Sequence, residues 1–264
     1  MQIRYVSGYI EHLLANGRYF FTKAEALKQL QITDAQFRDQ IYRLNKSKDI
    51  RSLSQNFYMI IPAEYKNFGG LPPHWIINDL MHHLNQDYYI GLLSAAALYG
   101  ATHQQPMVFQ VISSKARRSL VFARGLIDFH VFKQAMTART EQLSTPAGYA
   151  RISSKEQTIV DLVRFYPVCG YLSNVANVIK ELADMCNMTL FSRALKQERN
   201  VSVLQRLGYI LMFIGKDQLS DLVRTELKTR SLQYVLLRPD FHDHNGQKES
   251  DFKIIVNDTL ELEE

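Results

Sequence analysis

Cysteine is nearly absent: 264 residues contain two, Cys169 and Cys186. Their separation of 17 matches no zinc-ligand spacing, and two cysteines build no disulfide framework, so both read as buried free thiols. Glycine (12) and proline (7) are also few, which excludes a collagen-like or linker-rich chain. A hydrophobic content of 46% against 22% charged residues excludes a long disordered tract. Long apolar runs are missing as well. The longest stretches, residues 88–98 and 207–214, fall short of the roughly 20 residues of a spanning helix or are interrupted, so no membrane association is expected. The amino terminus, Met1-Gln2-Ile3-Arg4-Tyr5, lacks the apolar core and small residues of a secretory signal, which predicts a cytoplasmic protein. No glycine-rich loop follows a strand in phosphate-cradling form, and no Gly-x-Ser-x-Gly occurs.

What the chain has is positive charge in two blocks. The net charge is +5. Residues 1–66 hold 10 bases against 6 acids, and residues 115–139 hold 6 against one, while the remaining stretches are slightly acidic. Blocks of this kind favour polyanions through counterion release and are also common on solvated faces.

The first block reads as three helices closed by a hairpin. Val6, Ile10, Leu13 and Leu14 fall on one helical face that stops near Asn16-Gly17. Tyr19-Phe20-Phe21 is a short extended piece. Thr22 with Glu25, and Thr33 with Gln36, are capping boxes opening two closely spaced helices, the layout of a helix-turn-helix. On the last helix Phe37, Ile41 and Leu44 face the core, and Ala35, Arg38, Asp39, Tyr42, Arg43 and Lys46 face outward. Residues 50–53 and 56–61 are two β-prone runs around Ser54-Gln55, a wing with Lys48 and Arg51 close by. The expected DNA-binding residues are therefore Gln36, Arg38, Tyr42, Arg43, Lys46, Lys48 and Arg51.

Gly69-Gly70-Leu71-Pro72-Pro73 is the strongest linker signal. Beyond it, Trp75, Ile76, Leu80 and Leu84 mark a helix, and an Ala- and Leu-rich stretch over 89–99 ends at Gly100 as a C-cap. Residues 107–112, 119–122 and 126–132 are strand-like, with residues 149–152 a further candidate. Ser153 and Ser154 cap a helix stopped by Pro167, helical patterns dominate 174–227, and residues 234–237 with 252–256 predict a closing hairpin. The fold class is thus α+β: a winged helix-turn-helix domain over 1–66, a linker over 67–73, and a larger mixed α/β domain over 74–264 with a mainly antiparallel sheet and a helical bundle.

One stretch matches a catalytic pattern. Pro239-Asp240, ten residues, then Asp251-Phe252-Lys253 has the spacing of a Mg²⁺-dependent nuclease. The pattern is short, and Asp240 opens a polar loop where acids serve as turn residues. His242 and His244 beside Asp240 and Asp243 read as solvated loop residues, and the adjacent His82 and His83 point to different helix faces. No catalytic residue, metal or cofactor is expected, with the nuclease kept as an alternative. The second basic block, Lys115, Arg117, Arg118, Arg124, Lys133 and Arg139, falls at strand ends and turns, as a solubilising rim or a second phosphate-contacting surface.

The run Tyr89-Ile90-Gly91-Leu92-Leu93-Ser94-Ala95-Ala96-Ala97-Leu98-Tyr99-Gly100-Ala101-Thr102-His103-Gln104-Gln105-Pro106 resembles the signature of AbiEi-like antitoxins, the regulatory halves of abortive-infection systems. Residues 153–162, with Glu156 and Asp161-Leu162, agree, as do residues 205–211 and the closing strands ending in Val256-Asn257. The resemblance makes residues 74–264 an AbiEi-like antitoxin domain. It implies a type IV antitoxin that represses its own operon by binding inverted repeats through the winged helix. It implies a nucleotidyltransferase-like toxin, opposed without a stable complex, and a closing hairpin that is no nuclease site. A regulator unconnected to any toxin is the remaining alternative, which the neighbouring reading frame distinguishes.

Overall fold

The computed structural model describes residues 5–102, 106–122 and 125–263. In chain order the elements are α1 (Val6–Ala15), β1 (Phe20–Thr22), α2 (Lys23–Leu30), α3 (Asp34–Lys46), β2 (Ile50–Ser54), β3 (Phe57–Ile60), α4 (Pro73–His83), β4 (Tyr88–Ile90), α5 (Leu92–Leu98), β5 (Val108–Ser113), β6 (Leu120–Phe122) and β7 (Gly125–Val131). There follow β8 (Thr140–Thr145), β9 (Gly148–Ser153), α6 (Lys155–Arg164), α7 (Tyr171–Ala183), α8 (Met188–Gln197), α9 (Val201–Phe213), α10 (Asp217–Leu227), β10 (Val235–Leu236), β11 (Gln247–Glu249) and β12 (Ile254–Val256). The protein is mixed α/β. Among the described residues no helix is long and apolar enough to cross a membrane.

The chain forms two compact units. The first comprises Met1–Tyr88, Met107–Ala135 and Gln142–Arg151; the second comprises Tyr89–Pro106, Met136–Glu141 and Ile152–Glu264. Residues 67–73 lie inside the first unit, where Ala63–Phe68 is a 3-10 helix, Gly69 takes φ +71°, and Pro73 opens α4. The Gly-Gly and Pro-Pro pairs turn a tight corner there, glycine supplying positive φ and proline a helix start that needs no amide donor.

At the start of the first unit, α1 buries Val6, Tyr9, Ile10 and Leu13, one face at helical spacing. Thr22 and Thr33 cap α2 and α3, and in both cases the carboxylate or amide three residues on bonds back to the capping amide. The buried faces of α1, α2 and α3 meet the sheet β1-β3-β2 in one cluster that includes Phe21, Ala26, Leu30, Phe37, Ile41, Ile50 and Ile60. Tyr58 closes it, stacked on Phe21 at 5.3 Å and met edge-on by Phe37 at 5.8 Å. α4 adds Trp75, whose ring lies 5.8 Å from Tyr19 and 5.4 Å from Tyr65.

A six-stranded sheet runs in the order β6-β7-β5-β4-β9-β8, and every strand has residues in the first unit. It is mixed, which corrects the expectation of a mainly antiparallel sheet. β5 and β7 pair in parallel from Val108↔Leu126 to Ser113↔Val131, and Ile90↔Ile152 is parallel, while β6 pairs antiparallel with β7. The reason is visible in β5, where Gln110, Val111, Ile112 and Ser113 are buried in succession, as strands inside parallel arrays are. β8 was not foreseen: its residues Thr-Glu-Gln-Leu-Ser-Thr are mostly polar and lie on the sheet edge, where polar strands resist further pairing. The stretch over 89–99 is not one helix either. Residues 88–90 are strand, Gly91 is extended, and Leu92 at φ +56° begins α5.

The second unit is dominated by α6–α10. Ser154, Asn187 and Asn200 cap α6, α8 and α9 through side-chain oxygens. Gly208 on α9 lies so close to Phe252 that a Cβ there would sit 2.2 Å from the ring. The closing sheet runs β10-β12-β11, with β10 parallel to β12 and β11 antiparallel to it. The hairpin is therefore between β11 and β12, not between the two apolar runs. Its turn is set by the Glu249 carboxylate, which accepts from the amides of Asp251 and Phe252, and by Lys253 at φ +52°. Cys169 is buried as expected, but Cys186 is only half-buried. Burial still pushes both thiols up to about 12.

Candidate nucleic-acid interface

The local sequence explains why α3 presents a basic face. Thr33 Oγ1 accepts from the Gln36 amide at 3.3 Å and Gln36 Oε1 accepts from the Thr33 amide at 2.9 Å, which starts the helix at a defined residue. From that start, helical period buries Phe37 and Ile41, leaves Leu44 half-buried, and turns Arg38, Asp39, Tyr42, Arg43 and Lys46 outward, all exposed. Tyr42 is 70% exposed, unusual for an aromatic side chain. Gln36 is exposed too, but its side-chain oxygen is committed to the cap.

Three of the acids near this helix are paired, while Asp39 shares its outward face. Lys23 pairs with Asp34, Lys66 with Asp49, and Arg18 with Glu25 at 3.1 Å. Among the described residues no carboxylate pairs with Arg38, Arg43, Lys46 or Lys48. A row of unpaired cations on one rigid helix is suited to phosphates or base edges.

The hairpin β2–β3 follows directly. Its register runs Ile50↔Ile60, Arg51↔Met59 and Ser52↔Tyr58, then shifts to Ser54↔Phe57. The turn residues Gln55 and Asn56 are exposed, Asn56 in the left-handed region at φ +59°. Lys48, also at φ +59°, is exposed between α3 and β2. Arg51 is half-buried, and its Nη2 donates to the Val121 carbonyl of β6 at 2.9 Å. Sequence reasoning assigns this arginine to phosphates; part of its guanidinium instead ties the hairpin to a sheet edge.

The second basic block separates. Lys115, Arg118 and Lys133 are exposed in the first unit. Arg117 is half-buried with its guanidinium 5.5 Å over the Phe129 ring, and burial lowers its pKa. Arg139 belongs to the second unit and is half-buried. Arg124 lies outside the described residues, as do His103, Gln104 and Gln105 of the run that carries the resemblance.

The residues of the nuclease pattern have separate partners. Asp240 accepts from the Tyr166 hydroxyl and lies 3.7 Å from Arg238, whereas Asp251 pairs with Arg224 at 3.1 Å. Lys253 Nζ lies 5.9 Å over Tyr234. Each carboxylate has its own cationic or hydroxyl partner, and among the described residues no three His, Cys, Asp or Glu side chains converge to hold a metal. His242 and His244 are exposed.

Sequence reasoning missed His83. It considered this residue only as a metal ligand, yet the ring stacks on Phe57 at 4.6 Å and its Nε2 lies 3.1 Å from the Gln55 carbonyl. No local signal in the sequence connects residue 83 with residue 55.

Comparison with known proteins adds what geometry does not supply. Residues 89–213 match the family model described as the AbiEi antitoxin C-terminal domain. Among solved structures, the RV2827C protein from Mycobacterium tuberculosis is similar in fold, with a TM-score of 0.67 and 16% identity over 94% of this chain and 89% of that one. An antigenic nucleotidyltransferase-like protein from Paracoccidioides brasiliensis aligns at a TM-score of 0.40 and 10% identity, over 62% of this chain and 94% of that one. No curated protein matches the chain.

Proposed function

Because this chain is AbiEi-like, carrying the antitoxin C-terminal domain over residues 89–213, we propose that it is a type IV antitoxin that also represses its own operon. Residues 1–66 act as a winged helix-turn-helix, with α3 entering the major groove and the β2–β3 hairpin as the wing. Operator DNA with inverted repeats is the direct partner. A nucleotidyltransferase-like toxin is the functional one, opposed without a stable complex. The protein is a cytoplasmic regulator and not an enzyme.

The observation that carries the DNA reading is the outward face of α3, where Arg38, Tyr42, Arg43 and Lys46 are exposed opposite the buried Phe37 and Ile41. The antitoxin reading rests on the family match over residues 89–213. Lys115, Arg118 and Lys133 are candidates for additional phosphate contacts, and the Arg51 bond to Val121 supports this by joining the hairpin to the strand that follows the Lys115–Arg118 turn.

Binding of the full chain to a duplex from immediately upstream of its coding sequence tests the first half. Arg43→Ala and Lys46→Ala should each weaken binding by ~1–3 kcal/mol. Wild-type affinity in both variants would remove α3 from the groove. Co-expression with the product of the neighbouring reading frame tests the second half: growth arrest relieved by this chain is expected, and arrest that persists in its presence contradicts antitoxicity.

A further inference from the structure

We propose that His83 is the positioning residue of the wing: it holds the β2–β3 turn in the orientation from which that turn meets a DNA phosphate. This rests on the reading of α3 and the hairpin as a DNA-binding unit.

His83 is the last residue of α4, and its side chain does two things at once. The ring lies nearly parallel to Phe57, 14° apart with centroids at 4.6 Å, and Phe57 in turn stacks on Phe20 at 5.8 Å. The Nε2 atom lies 3.1 Å from the Gln55 carbonyl. A carbonyl only accepts, so Nε2 carries the proton and donates. The next carbonyl, that of Asn56, accepts from the Lys23 amide at 2.9 Å. Consecutive carbonyls of the turn are thus gripped, one by a backbone amide and one by the imidazole.

The hairpin needs such a grip. Its pairing shifts between Ser52 and Ser54, an irregularity that bends the strand and interrupts the ladder just before the turn, and Gln55 and Asn56 are exposed. A tip left free must be ordered when DNA binds, which weakens association without touching any DNA-facing atom. His83 is half-buried in contact with the hairpin, so its effect on DNA runs through the turn's backbone.

The test compares two substitutions in the full chain. His83→Phe keeps a flat ring for Phe57 and removes the donor, whereas His83→Gln returns an amide N–H near the position of Nε2. Binding is measured to the upstream duplex and to a random-sequence duplex of equal length across a salt series, with Arg43→Ala alongside. We expect His83→Phe to lose roughly three- to tenfold in affinity, an ordering cost, with its slope of log affinity against log salt unchanged, because the turn residues Gln55 and Asn56 carry no cation that neutralises a phosphate. His83→Gln should return the affinity toward wild type, and the melting temperature of His83→Phe, which keeps a ring on Phe57, should stay close to that of the wild-type chain. If Arg43→Ala weakens binding while His83→Phe matches wild type in affinity, the wing role is wrong and the DNA reading stands. If the wild-type chain binds neither duplex, the DNA reading falls and this inference with it. Loss of cooperative unfolding in His83→Phe would make the residue part of the scaffold, which also overturns the proposal.

Discussion

Asp161 shows how much a single buried group can set. Its carboxylate is fully buried on α6, accepting from the Tyr89 hydroxyl at 2.8 Å and the Gln157 amide at 3.0 Å, with Arg164 at 4.0 Å. Burial pushes its pKa up to about 6, against the opposing pull of Arg164, Tyr89 and Gln157. The folded chain therefore binds a proton more tightly than the unfolded chain does, so this group favours folding most below an unfolded value of roughly 4 and loses that contribution as pH rises through the folded value. Calorimetry should show a part of the melting-temperature decline between about pH 4 and 6 that disappears in Asp161→Asn; identical pH profiles for the two chains would contradict this assignment. Gly208 makes a steric prediction at the same scale. Its hypothetical Cβ meets Phe252 at 2.2 Å, so Gly208→Ala should destabilise by ~1–3 kcal/mol in denaturant unfolding, and an unchanged midpoint would mean the ring moves freely.

At the scale of one element, α3 separates stability from recognition. Its start depends on Thr33, so Thr33→Ala should cost ~1 kcal/mol of stability. Its inner face depends on Phe37, whose truncation should leave a cavity costing ~3–5 kcal/mol. Its outer face should be almost silent in stability, Arg43→Ala changing it by no more than about 0.5 kcal/mol. Urea unfolding of the three variants checks the ranking; an Arg43 effect as large as that of Phe37 would mean that the face is packed. This helix was readable before folding because its cap, period and charge are all local. β8 was not, since its residues carry no strong strand preference and only sheet-edge position makes them a strand.

For the whole molecule, compact packing does not follow chain order. The first unit draws on three separate stretches of sequence, so residues 1–66 are not its full complement. α4 contributes Trp75 against Tyr19 and Tyr65, and His83 against Phe57. A fragment of residues 1–88 should therefore melt higher than one of residues 1–66, and equal melting temperatures would show that α4 adds nothing. The second basic block yields a prediction of the same scope. Charge reversal at the exposed Arg118 should lower the salt slope of DNA binding by roughly 0.9 for each phosphate that the variant no longer neutralises. The half-buried Arg117 over Phe129 should instead affect stability. A slope unchanged by Arg118→Glu would return that turn to the solvated surface.

Sequence alone determined the elements whose causes lie within a few residues: the capping boxes of α2 and α3, the inward Phe37 and Ile41, the strands β5 to β7, the Ser154 cap of α6 and the helical character of the stretch over 174–227. It also carried the family resemblance, because residues 89–106 form a contiguous motif. Tertiary structure decided what depends on distant partners. Strand direction in the sheet, the pairing of β12 with both β10 and β11, the capture of Arg51 by Val121 and the grip of His83 on the wing all join residues far apart in the chain. The division of Asp240 and Asp251 between separate partners belongs with these, since a spacing of carboxylates says nothing about which cation folds against each. Local preference is a property of neighbouring residues, whereas charge pairing and strand pairing are set by long-range interactions that form only when the chain closes on itself.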